Sequence, residues 1–455
     1  MLLFFRDIWI ELANSIKKLY LIYINAMKIL YSLIFILLNI YGQCFSQSNP
    51  NATEDAKKVF NYLTLLSNDE FNGVISGQNC GHGTEILSLY DEYIKAMQQK
   101  SGKLIGMVGV DYEYLKEYSV DELKLTNSKL IEHWNKGGLV TINWTPTNVF
   151  DAGNIYNTSG TNLDELINPS SGVYGKWMSK LDRIAEGLKQ LQDSGVVVLF
   201  RPMQESNSTW FWYGKHNANS FINVWKHLYD YFVKTKRLNN LLWVYSPVGD
   251  QNTFPFIYPG ADYVDIVGGT SYNSDVTAWG YNDYTSYNKI TALAEYGHDL
   301  NNAPGNFDMK RYVEKIKNNY PKVAYFLAWH NWTNTNMAIV SNQNGVEMLN
   351  DPGVINADKL LWKGVVTSIN ETKDLFYTYP NPVQERIFIQ LKDVTGNRVK
   401  ITVIDVLSIE RMSTTINARE TDPLIELSLS SLDRGWYSIN VTSGNYSSIH
   451  KIYKE

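Results

Sequence analysis

Cysteine is almost absent: the 455 residues hold two, Cys44 and Cys80. Cys44 falls in a stretch expected to be removed on export, which leaves Cys80 alone and excludes a disulfide framework or a thiolate metal site. Positive charge is not in excess either. With 41 Lys and Arg against 46 Asp and Glu the net charge is −5, so the basic footprint of a nucleic-acid binder is missing. No G-x-G-x-x-G follows an early strand, which removes the usual sign of a dinucleotide site. His82, His298 and His330 show no metal-ligand spacing, so neither metal nor cofactor is expected. Long apolar runs are scarce. One of secretory length spans residues 29–41 behind Met27-Lys28, too short and polar-flanked for a membrane span. Residues 1–46 are therefore read as an N-terminal extension and signal peptide, with cleavage near Ser46 and no permanent span in the mature form.

What the chain does have is aromatic surface: 13 Trp and 31 Tyr. Between residues 55 and 368, short apolar runs alternate with amphipathic segments, the pattern of parallel βα units. Strands are expected at 73–77, 104–110, 139–144, 196–201, 241–246, 264–269, 290–295 and 323–329. Ser119-Val-Asp-Glu122 is a capping box opening a helix. Trp177, Leu181, Ile184, Leu188 and Leu191 recur at helical spacing, as do Phe221, Val224, Trp225, Leu228 and Phe232. Eight such units predict an α/β fold, a (β/α)8 TIM barrel. From 374 to 455 the pattern changes to alternating strands with polar turns, a small C-terminal β-sandwich. A carbohydrate-binding sandwich would expose aromatics on one sheet face, and Trp436 is the candidate there.

The most telling segment is Arg201-Pro-Met-Gln-Glu-Ser-Asn-Ser-Thr-Trp-Phe-Trp-Tyr-Gly214. It follows the apolar run Val196-Val-Val-Leu-Phe200, so a buried strand delivers an acid and flat aromatic faces to a cleft. That pairing suits a sugar, whose C–H faces stack on aromatics and whose glycosidic oxygen needs a proton. A second apolar strand, Ile290-Thr-Ala-Leu-Ala-Glu295, also ends in an acid. In a closed barrel both strand ends reach the same face.

Arg-Pro-x-x-Glu followed by Trp-Phe-Trp-Tyr-Gly resembles the signature of glycoside hydrolase family 26, best known for endo-β-mannanases. The resemblance implies a polysaccharide substrate, Glu205 as acid/base after the fourth strand, and Glu295 as nucleophile after the seventh. In a retaining enzyme these carboxyls stand about 5–5.5 Å apart. It further implies that Trp210 lines the cleft, that Trp329 floors the reacting subsite, and that Tyr272 lies near the nucleophile. Arg201 and Tyr272 are expected to keep Glu295 ionised, a structural ion pair being the other reading of Arg201. Gln204, Trp144, Asp111 and Gln78 complete the expected substrate-binding set, Asp111 and Gln78 equally suited to a supporting role, and Glu113 is a spare carboxylate. Two departures bear on the glycan. Gln204 stands where the family usually has His, and so does Thr145, which leaves β-1,3-xylan and mixed-linkage β-glucan beside mannan as candidate substrates. A non-catalytic surface glycan-binding protein is the alternative from another class. Tyr379-Pro-Asn-Pro382, Ile404-Asp-Val-Leu-Ser408 and the basic Lys451–Lys454 end resemble the type IX secretion sorting domain. That implies the type IX machinery as partner and a secreted or cell-surface location.

Overall fold

The alternating segments become eight parallel strands in a computed structural model. It describes residues 47–364 and 376–455, apart from 69, 215–216, 250–251, 300–302, 393–397, 406–408, 418–423 and 444–445. The expected signal peptide lies outside these residues. The strands are β1 (Gly77–His82), β2 (Met107–Asp111), β3 (Leu139–Trp144), β4 (Val198–Pro202), β5 (Leu241–Tyr245), β6 (Ile266–Tyr272), β7 (Ile290–Gly297) and β8 (Val323–Ala328). Each pairs in parallel with the next, and β8 returns to β1 through Gln78 and Ala328, which closes the barrel.

The first strand departs from the expectation of 73–77. Val74–Ile75 is a separate two-residue strand paired with Val354–Ile355, and the barrel wall begins at Gly77. Gln78 and Asn79 gave no apolar signal, yet both are fully buried. The Gln78 amide is fully paired: Nε2 donates to the carbonyls of Asn79, Ala328 and Trp329, and Oε1 accepts from the Ile339 amide. Buried amides satisfied in this way carry little penalty.

The helices follow their patterns. Val120–Asn135 opens on the Ser119/Glu122 capping box, with Ser119 N donating to Glu122 Oε2 at 2.8 Å. Tyr174–Asp193 and Ala218–Tyr229 bury the expected stripes against the sheet. Later crossovers are leaner. Among the described residues, the crossover after β5 forms only the short 3-10 turn Ala261–Tyr263, and that after β6 only Tyr281–Thr285. Aromatic pairs take over the packing there: Tyr258 stacks on Tyr287 at 4.0 Å and Phe256 on Tyr284 at 6.4 Å. Among the described residues no helix is long and apolar enough to cross a membrane.

The C-terminal region is an antiparallel sandwich. A three-stranded sheet (Phe376–Tyr379, Arg386–Leu391, Leu424–Ser428) faces a four-stranded one (Arg398–Asp405, Glu410–Asn417, Gly435–Ser443, Tyr446–Lys454). Period-two alternation sends Ile387, Ile389 and Leu391 inward to meet Val399, Ile401, Val403, Ile439 and Val441. Trp436 is not alone outside: Tyr377 and Tyr379 are exposed as well.

Candidate active site

Strand register aligns the first polar row at the carboxyl end of the barrel. Asp111 on β2 pairs with Asn143 on β3, and Asn143 with Arg201 on β4. Arg201 is almost wholly buried, so its guanidinium must be satisfied internally. Nε donates to Asn143 Oδ1 at 2.7 Å, Nη1 to Ser246 Oγ at 3.0 Å, and Nη2 to Glu295 Oε2 at 2.5 Å.

Beyond β4 the chain turns sharply. Met203 and Glu205 both adopt positive φ, 50° and 57°, a strained backbone that costs on the order of 1–3 kcal/mol per residue and persists only when its surroundings enforce it. The enforcing bonds are present. Met203 N donates to Trp144 O at 2.9 Å, Glu205 N to Ser246 O at 2.8 Å, and the Tyr213 hydroxyl to Gln204 O at 3.0 Å. The turn thereby aims Gln204 and Glu205 into the barrel mouth. The Trp210 indole donates to Glu205 Oε2 at 2.8 Å. Burial, and next the charge of Glu295, raise the Glu205 pKa from 4.5 to about 8, against a smaller lowering by the Trp210 bond.

Glu295 has different neighbours. Besides Arg201, it accepts from the Tyr272 hydroxyl, Oε1 to oxygen 2.6 Å. Burial and the adjacent carboxylates hold the Tyr272 pKa well above its ordinary value, so the phenol stays a donor. Room for the Tyr272 ring comes from Gly297, where any Cβ would overlap its Cδ1 and Cε1 atoms. One acid is thus kept neutral beside an indole, while the other is clasped by a cation and a phenol. Such an asymmetry suits a division of labour between a proton donor and a nucleophile.

A cleft of about 670 Å³ brings together six of the expected residues: Gln204, Glu205, Trp210, Tyr272, Glu295 and Trp329. Arg201 lies beneath it, its guanidinium carbon 5.7 Å from the Trp329 ring centre. The remaining three expected substrate contacts are not on the wall. Trp144 is fully buried on the helix side of β3, with its ring 5.5 Å from Trp177 and 6.4 Å from Phe232. Asn143 uses the inward position, so strand alternation sends its neighbour outward. Asp111 is buried beneath the cleft, where it accepts from the Thr145 amide at 3.0 Å and the Thr145 hydroxyl at 2.5 Å. Gln78 spends its amide on backbone groups. Glu113 is also away from the cleft, buried against Lys180 and Arg183 and accepting from Thr147 N at 2.9 Å.

Sequence reasoning missed much of the aromatic lining. Tyr114, Tyr156, Phe254, Trp279 and Trp332 all face the cleft, with His82 and His330 beside them, and join Phe211 of the segment already singled out. The Tyr114 and Tyr156 hydroxyls bond to each other, and His82 stacks on Tyr114 at 4.5 Å. Trp332, three residues after Trp329, carried a proximity signal. Tyr156 and Phe211 come from separate loops and meet only in three dimensions, their rings 6.1 Å apart.

The model of glycosyl hydrolase family 26 matches residues 48–359, and that of a secretion system C-terminal sorting domain matches 377–455. A mannan endo-1,4-beta-mannosidase A and B from Caldalkalibacillus mannanilyticus is 36% identical over 330 residues, covering 69% of this chain and 63% of that protein. The mannan endo-1,4-beta-mannosidase of Bacillus subtilis strain 168 is 33% identical over 340 residues, 71% of this chain and 91% of that protein. A solved structure of Bacillus subtilis mannanase man26 superposes with a TM-score of 0.62 at 30% identity, covering 69% of this chain and 95% of the other.

Proposed function

Because this chain belongs to glycosyl hydrolase family 26, we propose that it is a retaining endo-β-1,4-mannanase acting by double displacement, with Glu205 as acid/base and Glu295 as nucleophile. The observation that carries the reading is the asymmetry of the two acids. Glu205 is held protonated by burial and by the neighbouring charge, and Glu295 is held by Arg201 and Tyr272.

The chemistry follows from that placement. Glu205 gives its proton to the glycosidic oxygen as the bond to the anomeric carbon breaks, and Glu295 forms an ester at that carbon from the opposite face. Glu205, now a carboxylate, takes a proton from water, whose oxygen displaces Glu295 and regenerates both groups. Trp329 and Trp210 offer the flat faces against which a pyranose stacks. The many aromatic side chains that line the cleft with the acids suit a polymeric glycan.

The C-terminal sorting domain marks the chain for secretion or the cell surface. Engagement of the type IX machinery and removal of residues 1–46 as an export leader are part of the proposal. So are the domain limits, 55–368 for the barrel and 374–455 for the sorting sandwich.

A second reading, cleavage of β-1,3-xylan or mixed-linkage β-glucan, is favoured by one observation. Gln204 and Thr145 bond to each other at two positions where the resemblance leads one to expect histidines. Reducing-sugar release from mannan, glucomannan, β-1,3-xylan and lichenan separates the readings. Fastest release from mannan is expected. Release from lichenan or β-1,3-xylan alone would transfer the assignment, and release from none would return the chain to glycan binding without hydrolysis.

A further inference from the structure

The two acids open onto the carboxyl end of the barrel. At the opposite end lies a buried carboxyl that the proposed reaction does not use. Asp265 directly precedes β6 and is fully buried. Its Oδ2 accepts from Trp243 N of β5 at 2.8 Å. Its other partner comes from 217 residues earlier in the chain: Ser48 N donates to Oδ1 at 2.6 Å, and Ser48 Oγ to Oδ2 at 3.0 Å. Among the described residues, Oδ1 takes its one hydrogen bond from Ser48. A buried carboxyl oxygen stripped of its donor bears its desolvation cost unrelieved. Burial raises the Asp265 pKa, and the bonds from Ser48 and Trp243 oppose that rise.

Ser48 is one end of a longer attachment. The Tyr229 hydroxyl donates to Ser48 O at 2.7 Å, Asn49 Nδ2 to Asn239 Oδ1 at 3.0 Å, and Thr53 N to Asn239 O at 2.8 Å. Thr53 then caps the helix Glu54–Leu66, its hydroxyl accepting from Ala56 N at 3.2 Å, and the helix buries Val59, Phe60, Leu63 and Leu66. Past the helix, Ser67 Oγ donates to Lys322 O and accepts from Thr291 N, both at 2.8 Å. Asn239 and Asp265 lie at the amino ends of β5 and β6, Thr291 and Lys322 at those of β7 and β8. Residues 48–67 therefore cross the base of the barrel and are bonded at both ends of the crossing. An apolar helix between two polar anchors has the build of a cover, at the end of the barrel that serves stability and not chemistry.

We propose that residues 48–67 are a strap that closes the base of the barrel, that Asp265 is the docking site for its leading end, and that export processing therefore leaves Ser48 on the mature chain. Cleavage near Ser46 spares the clasp by one residue, Gln47. Cleavage after Ser48 would take both of its donors from Asp265 at once. The leader reading supplies only the fact of processing. The clasp is a property of Ser48 and Asp265.

Chains beginning at Gln47 and at Asn51, each running to Glu455, test the strap. The shorter one keeps the Thr53 cap and loses the bonds to Asp265 and to the Asn239 side chain. Under native conditions a nonspecific protease should cut it at least about tenfold faster, because fewer bonds raise the population of the open form. Its kcat/KM should be unchanged, since the cleft lies at the other end of the barrel. Asp265→Asn turns an NH2 toward one of the donors and should also speed cutting of the longer chain. In the shorter chain the same substitution should have a smaller effect, because both changes remove the same contact. Ser48→Gly, which keeps the amide and loses the hydroxyl, should fall between the two chains.

Intact-mass analysis of the exported protein reads the processing boundary, which should fall at or before Ser48. Equal protease resistance of the two chains, effects of truncation and Asp265→Asn that simply add, or an exported protein that starts beyond Ser48 would overturn the proposal. Should Asp265→Asn fail to fold, Ser48→Gly carries its arm, and full resistance in that variant would overturn the clasp. An exported protein that retains residues 1–46 would refute the leader reading, while the protease arm still decides the strap.

Discussion

Gly297→Ala should disable the enzyme from a position that touches no sugar. Gly297 lies in strand β7, two residues after Glu295. A methyl group there would overlap Tyr272 Cδ1 and Cε1 and sit 3.0 Å from Met337 Sδ. Carbon atoms rest at about 3.5–4 Å from one another, so the ring must move by about 1 Å. Tyr272 now holds Glu295 at 2.6 Å, and such a displacement takes the hydroxyl past useful hydrogen-bonding distance. A bond to a charged group contributes about 1.5–3 kcal/mol, which corresponds to a fall in kcat/KM of roughly 10- to 150-fold. Tyr272→Phe should reproduce that fall without the steric change. The double variant should be little worse than either single one, because both remove the same contact. Steady-state kinetics on an aryl β-mannoside, with Tm as a control for folding, measure all three. Wild-type kcat/KM in Gly297→Ala, or losses that add in the double variant, would refute the coupling.

Three further expectations follow from the same geometry. The Glu205 pKa is raised in the fold from 4.5 to about 8, so kcat/KM should decline as pH rises through about 8 and the acid loses its proton. The unfolded chain releases that proton near 4.5, so the associated stability is full below 4.5 and is lost as pH climbs to about 8. Glu205→Gln should therefore have a higher Tm than wild type at pH 9, with the difference closing toward pH 4.5, and a constant difference would contradict the assignment. Lys180 is buried with Glu113 and also meets Glu117 and, at 2.6 Å, Thr147 Oγ1. Lys180→Met leaves buried carboxylate charge short of a cation and should cost about 3–5 kcal/mol in urea unfolding, and an unchanged midpoint would refute that account. Truncation after about Thr372 should spare hydrolysis in vitro and abolish delivery to the cell surface. Loss of activity in a folded truncated chain would place the sandwich in the substrate site.

That Glu205 and Glu295 reach the cleft was legible because each lies near the carboxyl end of an apolar strand, and a residue in that place on a parallel barrel reaches the mouth. Trp144 was misplaced for the opposite reason. It also ends an apolar strand, but alternation decides its side, and Asn143 already takes the inward position to reach Arg201. The strand Gly77–His82 was hidden because its buried residues are polar and gain their place through hydrogen bonds, to which apolar patterning is blind. The bond between Asp111 and Thr145 was out of reach for a related cause, because it appears only when the ends of neighbouring strands are brought together. Tyr156 sits on a separate loop whose approach to Phe211 no local pattern encodes.

On the proposed mechanism Glu295 bonds to the anomeric carbon and Glu205 is its proton partner. Brief incubation with an activated 2-deoxy-2-fluoro-β-mannoside, followed by peptide mass analysis, tests it most directly, because fluorine slows release of the glycosyl-enzyme. One fluoroglycosyl mass increment is expected, located on Glu295 and absent in Glu295→Ala. An increment on another carboxylate, or steady turnover with no labelled peptide, would contradict it.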